Sequence, residues 1–184
     1  MNINEQIKAL YAQHQEMPYI NPNRDLESWL NEVKTSSNKL VPKRNMIRLE
    51  EGYLPGHIII LWRVQFGTYT NETTISKYFE YSYGIDAKKE LDVLIQNGYV
   101  IELSAFDSLD FQTAGQLKAY LKDKNISGLT KLKKHELEEL IRTHFTEEEL
   151  STYFTIRKYA LTPAGETLLN NHSEVIDKHP KKKF

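Results

Sequence analysis

The chain contains no cysteine. That absence removes disulfide scaffolds, thiolate zinc sites, iron–sulfur ligation and cysteine nucleophiles together. It is compatible with a cytoplasmic setting, where disulfides are rare. Long apolar runs are also missing. The longest, Ile58-Ile59-Ile60-Leu61-Trp62, falls far short of the roughly 20 residues a membrane helix needs, so no membrane partner is expected. The opening Met1-Asn2-Ile3-Asn4-Glu5 lacks a basic stretch followed by an apolar one, so no secretory signal is expected either.

Catalytic signatures are equally scarce. The histidines His14, His57, His135, His144, His172 and His179 show no HExxH pairing and no dense metal spacing. There is no glycine-rich phosphate loop and no Gly-x-Ser-x-Gly elbow. The expectation is a non-enzymatic protein with no catalytic residues, no metal, no cofactor and no small-molecule substrate.

What is present is an ordinary globular composition: 184 residues, 40% hydrophobic and 27% charged. That suits one domain, or one domain with a small second module, and it can bury a core unaided. The net charge of −1 conceals an uneven distribution. Residues 53–110 carry four basic and eight acidic side chains, whereas 111–145 carry seven basic and four acidic. The closing Lys178-His179-Pro180-Lys181-Lys182-Lys183 is basic again. A polyanion would therefore meet 111–145 and the tail, not the middle.

Periodicity supplies the elements. Ile3, Ile7, Leu10, Tyr11 and His14 share a helical face that Pro18 and Pro22 end. A second short helix with Leu26, Trp29, Leu30 and Val33 follows Asp25, a good N-cap. A linker is read across Ser36-Ser37-Asn38-Lys39 and Pro42-Lys43-Arg44-Asn45, making residues 1–50 an N-terminal helical arm. Next come an apolar helix from Pro55 to Phe66, a helix over about Thr73–Tyr83 ended by Gly84, and a third capped by Asp86. The aromatics Tyr78, Phe79, Tyr81, Tyr83 and Tyr99 read as packing rather than base stacking. The strand-like Tyr99–Leu103 comes next, and a return strand is expected at Phe154–Leu161, followed by a helix with Thr162 as cap and Pro163 in its first turn.

Three helices followed by a strand is the order of a winged helix-turn-helix. The predicted fold is mainly α with a small β wing, an α+β chain. Its winged-helix core covers 53–103 plus 154–172, interrupted by a helical insertion at 111–150 and closed by a basic tail at 173–184. Thr113-Ala114-Gly115-Gln116 is a capping-box pattern opening the insertion's first helix, and its second is expected over Lys131–Thr143. Thr146-Glu147-Glu148-Glu149 is another such box, which assigns its glutamates to a helix N-terminus rather than to catalysis.

"Gln-Leu-Lys-Ala-Tyr-Leu-Lys-Asp-Lys-Asn-Ile" (116–126) and "Lys-Lys-His-Glu-Leu-Glu-Glu-Leu-Ile" (133–141) together resemble a SAP domain. They are equally similar to the helix–extended loop–helix module at the N-terminus of the Rho terminator. The matching features are Lys134-x-Glu136-Leu137 and the spacing of Leu117 and Leu121; Leu132 stands where SAP sequences usually carry glycine. "Tyr-Leu-Pro-Gly", "Leu-Ile-Gln-Asn-Gly-Tyr-Val" and "Tyr-Ala-Leu-Thr-Pro-Ala-Gly" flank this stretch in the order seen in SAP-domain-containing proteins of Gram-positive bacteria and their phages. The resemblance implies nucleic-acid binding, DNA before RNA, a cytoplasmic location and a phage or mobile-element origin.

The residues then offer a phosphate-binding surface: Lys124, Thr130, Lys131, Lys133, Lys134 and Arg142, with backbone N–H groups near Thr130–Lys133 favouring an anion. The competing reading pairs these lysines with Glu136, Glu138 and Glu139, Lys134–Glu138 being an i,i+4 pair. Secondary candidates are Lys88 and Lys89 on the third helix, with Asp86, Glu90 and Asp92 opposing them, and Lys181, Lys182 and Lys183 in the tail. The alternative function is a protein-interaction adaptor or homodimer whose winged-helix core docks a partner without nucleic acid.

Overall fold

A computed structural model describes residues 1–36 and 40–180. Lys181, Lys182 and Lys183 lie outside these described residues. The chain is mostly helical with one small two-stranded antiparallel sheet, and it divides into two compact units. Unit 1 comprises residues 1–66, 74–100 and 161–184; unit 2 comprises 67–73 and 101–160. Among the described residues, no helix is long and apolar enough to cross a membrane.

Unit 1 is built on α3 (Pro55–Gln65), which is buried almost all round: Ile58, Ile59, Ile60 and Leu61 are fully enclosed. A helix with no polar face must be covered on several sides, and α5 (Ala87–Gln96), α9 (Pro163–Asn170) and α10 (Ser173–Lys178) all pack on it. His57, in the first turn, accepts a hydrogen bond from the Leu54 backbone N–H at Nδ1 (3.0 Å) and faces Glu90 through Nε2 (2.7 Å). Since Nδ1 accepts, Nε2 carries the proton and donates to the carboxylate. Burial holds the imidazole below its ordinary pKa, against the pull of Glu90, so a neutral ring ties α3 to α5.

The N-terminal segment belongs to this unit. Its helices α1 (Ile3–Leu10) and α2 (Leu26–Thr35) bury Ile7, Tyr11, Trp29 and Leu30, and the Asp25 side chain caps α2 as expected. Tyr19 N–H donates to the Gly84 carbonyl (2.8 Å), and Arg24 pairs with Glu80 while lying over the Tyr81 ring at 4.4 Å. Gly84 has φ +59, and a Cβ there would lie 2.7 Å from both Met46 Sδ and Pro18 Cβ. Both the conformation and the space require glycine.

Two expected elements are shorter than the sequence suggested. The helix over Thr73–Tyr83 contracts to α4 (Tyr78–Tyr81). Thr73 Oγ1 instead accepts from the Thr70 N–H (2.8 Å), a local turn that competes with helix formation. The return strand at Phe154–Leu161 contracts to β2 (Tyr159–Leu161), paired with β1 (Val100–Glu102). Upstream of β2, side chains take over part of the backbone bonding: Asn71 Oδ1 accepts from the Arg157 N–H, Asn71 Nδ2 donates to the Thr155 carbonyl, and Ser108 Oγ accepts from the Lys158 N–H. The other side of this strand is bridged by Thr70 opposite Lys158, with Tyr159 N–H donating to Tyr69 O (2.9 Å).

Unit 2 is a helical cluster. α6 (Ala114–Asp123) and α7 (Lys134–His144) pack through Leu117, Leu121, Leu137 and Ile141, all fully buried. Leu109, Leu129, Phe145, α8 (Glu147–Leu150) through Leu150, and Phe154 complete a core without a buried charge. Thr113 and Gln116 form the expected capping box (3.1 and 2.8 Å), as do Thr146 and Glu149. The Glu147 carboxylate accepts from the Ala105 and Phe106 N–H groups at 3.0 Å each, heading the 3-10 helix at Phe106–Phe111.

Candidate nucleic-acid interface

The connection from α6 to α7 is an extended loop over 125–133. It is anchored at intervals: Leu129 is buried and Leu132 is partly buried against the unit 2 core. Between and beyond these anchors Thr130, Lys131, Lys133 and Lys134 are exposed. The apolar anchors thus orient the cations outward on a short, constrained segment.

The six residues singled out from the sequence divide into two sets. Lys124, at the C-cap of α6, donates to the His144 carbonyl (3.0 Å), pairs with Glu149 and lies 4.6 Å from the Phe145 ring centroid. The Lys124 contact holds the Glu149 carboxyl below its usual range. Lys134 Nζ donates to the Asp110 carbonyl (2.8 Å), so the i,i+4 pair with Glu138 does not form. Arg142 donates to the Phe106 carbonyl at 3.2 Å and sits over the Phe106 ring. These three cations fasten segments of unit 2 together. Lys131 and Lys133, by contrast, make no side-chain hydrogen bond or ion pair among the described residues.

The expected anion site at the helix start is also revised. α7 begins at Lys134, not Lys131. Leu132 N–H already donates to Leu129 O (3.1 Å), and Lys133 N–H donates to Glu136 Oε1 (3.2 Å). A carboxylate of the same helix therefore stands where a phosphate was expected, and backbone capture there is disfavoured. The sequence reading also passed over Lys118 and Lys122 on α6. They are spaced i,i+4 and make no side-chain bond among the described residues; that spacing was the available signal. Together with Lys131 and Lys133, they are the cations of the helix pair left to meet an external anion.

On α5, Lys88 and Lys89 are exposed in the first turn. Their acidic opponents are partly occupied. Asp86 Oδ1 accepts from the Lys89 N–H, and Glu90 turns inward to His57. Only Asp92 remains exposed among the three acids. Asn97, at the C-cap of this helix, donates to the Tyr53 hydroxyl (2.8 Å).

Among the described residues, no three His, Asp or Glu side chains converge as a metal site. Comparison of the chain with models of known protein families, with curated protein sequences and with solved structures returns no match in any of the three.

Proposed function

We propose that this is a non-enzymatic, cytoplasmic nucleic-acid-binding protein whose α6–loop–α7 pair makes sequence-independent contacts to phosphates, duplex DNA before RNA. The observation that carries the reading is the outward pair Lys131 and Lys133, held by Leu129 and Leu132 yet without side-chain partners among the described residues. Lys118 and Lys122 extend the cationic set. Few base-reading side chains accompany them, so charge and shape supply the affinity. A helix–extended loop–helix with its core at Leu117, Leu121, Leu137 and Ile141 supports the SAP-like reading of this module. The order α3, the bridge at Thr70, α4, α5, β1 and β2 supports a winged-helix reading of the surrounding chain.

Fluorescence anisotropy with labelled duplex DNA, single-stranded DNA and RNA at two salt concentrations tests the proposal. Four phosphate contacts would give a log–log salt slope of about −3.6. Lys131→Glu combined with Lys133→Glu would reduce its magnitude by about 2. Absence of binding at low salt would sink the proposal. An adaptor role would then gain ground, favoured by Phe66, which is 56% exposed and packed edge-on against Trp62 in unit 1.

A further inference from the structure

Unit 1 contains a cleft of about 210 Å3 where the 3-10 helix at Lys43–Met46, the start of α3 and the end of α10 meet. Its walls are of two kinds. Leu49, Pro55 and Val175 offer apolar surface, and the Tyr83 ring adds an aromatic one. Arg44 and Lys178 stand at the same cleft with exposed side chains, and neither makes a hydrogen bond or ion pair among the described residues. They come from segments far apart in the chain, so their convergence is a product of folding, not of a local charge run.

The single carboxylate in the lining does not cancel them. Glu174 accepts from His172 Nδ1 at 3.2 Å, and His172 also bonds Glu51 through Nε2 at 2.7 Å. Burial pulls the His172 imidazolium down, but the two carboxylates outweigh it and hold its pKa above the ordinary value. Glu174 shares the His172 charge with Glu51 and also feels Lys178, so one carboxylate faces two cleft cations, and Arg44 has no acidic partner among the described residues. Behind the cleft the structure is firm. The Tyr83 hydroxyl meets His179 Nδ1 at 2.5 Å, and Asn45 Nδ2 donates to Ser82 O at 2.7 Å. A neighbouring cleft beside Arg24 differs in sign, because Asp25 and Glu32 line it and the guanidinium is already paired with Glu80.

We propose that this cleft is a binding site for a small organic oxyanion, with an apolar body against Leu49, Pro55, Val175 and Tyr83 and its carboxylate or phosphate held between Arg44 and Lys178. Arginine offers a fork of donors suited to either head group, and lysine adds a point charge. An apolar cleft with few, convergent polar groups is the usual form of a small-ligand site. The inference is independent of the nucleic-acid reading, whose lysines belong to unit 2.

The test is an NMR titration of the full chain with benzoate and with phenyl phosphate, using benzyl alcohol and inorganic phosphate as the two half-probes. Saturable amide shifts at residues 44–49, 82–83 and 174–178 are expected with at least one whole probe, and weaker ones with either half-probe. Comparison of benzoate with phenyl phosphate then identifies the preferred head group. Arg44→Gln and Lys178→Gln should each weaken binding by about tenfold, the worth of one charge-assisted hydrogen bond. Both residues are exposed, so the variants should fold, which unchanged amide spectra away from the cleft would verify. The proposal is overturned by an absence of saturable shifts with both whole probes, or by equal affinity in wild type and the double variant. Inorganic phosphate binding as tightly as phenyl phosphate would overturn the apolar half of the site.

Discussion

Unit 1 places ionisable side chains inside and gives each a partner there, although His14 Nδ1 and Arg24 Nε remain buried without a hydrogen bond. His57 lies between Leu54 N–H and Glu90, His172 between Glu51 and Glu174, His179 against Tyr83, and Arg24 beside Glu80. Unit 2 does the opposite: its core is aliphatic and aromatic, and its cations work at the rim, on carbonyls and on Glu149. Buried histidines couple stability to proton binding, whereas rim lysines leave charge facing solvent. The two units should therefore respond to different variables, unit 1 to pH and unit 2 to ionic strength.

The largest expected effect tests whether the units are separate in stability as well as in composition. Leu137 and Leu94 are both fully buried, one in each unit. Truncation of either to Ala should cost about 2–5 kcal/mol. Hydrogen exchange should then quicken chiefly in the unit that carries the substitution. Equal quickening throughout the chain for both variants would show a single cooperative structure and remove the basis of the contrast.

A smaller effect concerns pH. Burial holds His57 below its ordinary value near 6.5, and burial with the charge of Arg63 does the same for His179. For these two the unfolded chain binds protons more readily, so the stability they confer is present above pH 6.5 and lost as pH falls toward their folded values. His172 has the reverse sign. Its folded pKa is raised, so its contribution is present below about 6.5 and lost as pH rises through the folded value. Protection factors in unit 1, which compare exchange with the intrinsic rate at each pH, should thus fall on acidification, and His172→Gln should steepen that dependence by removing the opposing contribution. Unit 2 buries no histidine, His135 and His144 being exposed, and its protection factors should stay nearly flat across the same interval. A flat response in unit 1 would contradict the assigned protonation states.

Much of the architecture was legible because its signals are local. Asp25, Thr113, Thr146 and Thr162 each cap the helix their position implied, since a cap needs only residues three apart. What escaped the sequence depends on distant partners. Nothing near Phe154–Lys158 announces that Asn71 and Ser108 will take its backbone groups. Likewise, the lysine cluster was visible as composition, but its division into internal fasteners and free cations was not. Lys134 meets a carbonyl 24 residues away, and Lys124 a carboxylate 25 away. Glycine gives the same lesson. A Cβ at Gly165 would lie 2.0 Å from the Tyr99 carbonyl, a close approach of α9 that no helical propensity foretells.

Caps provide a test of intermediate size that bears on both units. Thr113→Ala in α6 and Thr162→Ala in α9 remove hydroxyls that accept from Gln116 N–H and Gly165 N–H, each at 3.1 Å. Each should cost about 1 kcal/mol. Thr162 Oγ1 also donates to the Gly98 carbonyl at 2.6 Å, so its loss should be the greater in thermal unfolding. Equal losses would show that the Gly98 bond adds nothing net.

The smallest expected change in stability is the most informative about function. Among the described residues Lys131 and Lys133 have no side-chain partner to lose, whereas Lys124 has two and an aromatic face. Neutralising Lys131 and Lys133 to Gln should shift stability by no more than about 0.5 kcal/mol. Lys124→Gln should destabilise unit 2 measurably, because the His144 carbonyl and Glu149 lose their donor. On a DNA-binding assay the order should invert. The Lys131/Lys133 variant should lose affinity and salt dependence together, and Lys124→Gln should change them little once folded protein is compared at equal concentration. If Lys124→Gln instead matched the double variant in salt slope, its pairing with Glu149 would have to open on binding. The separation between fastening and contacting lysines would then fail.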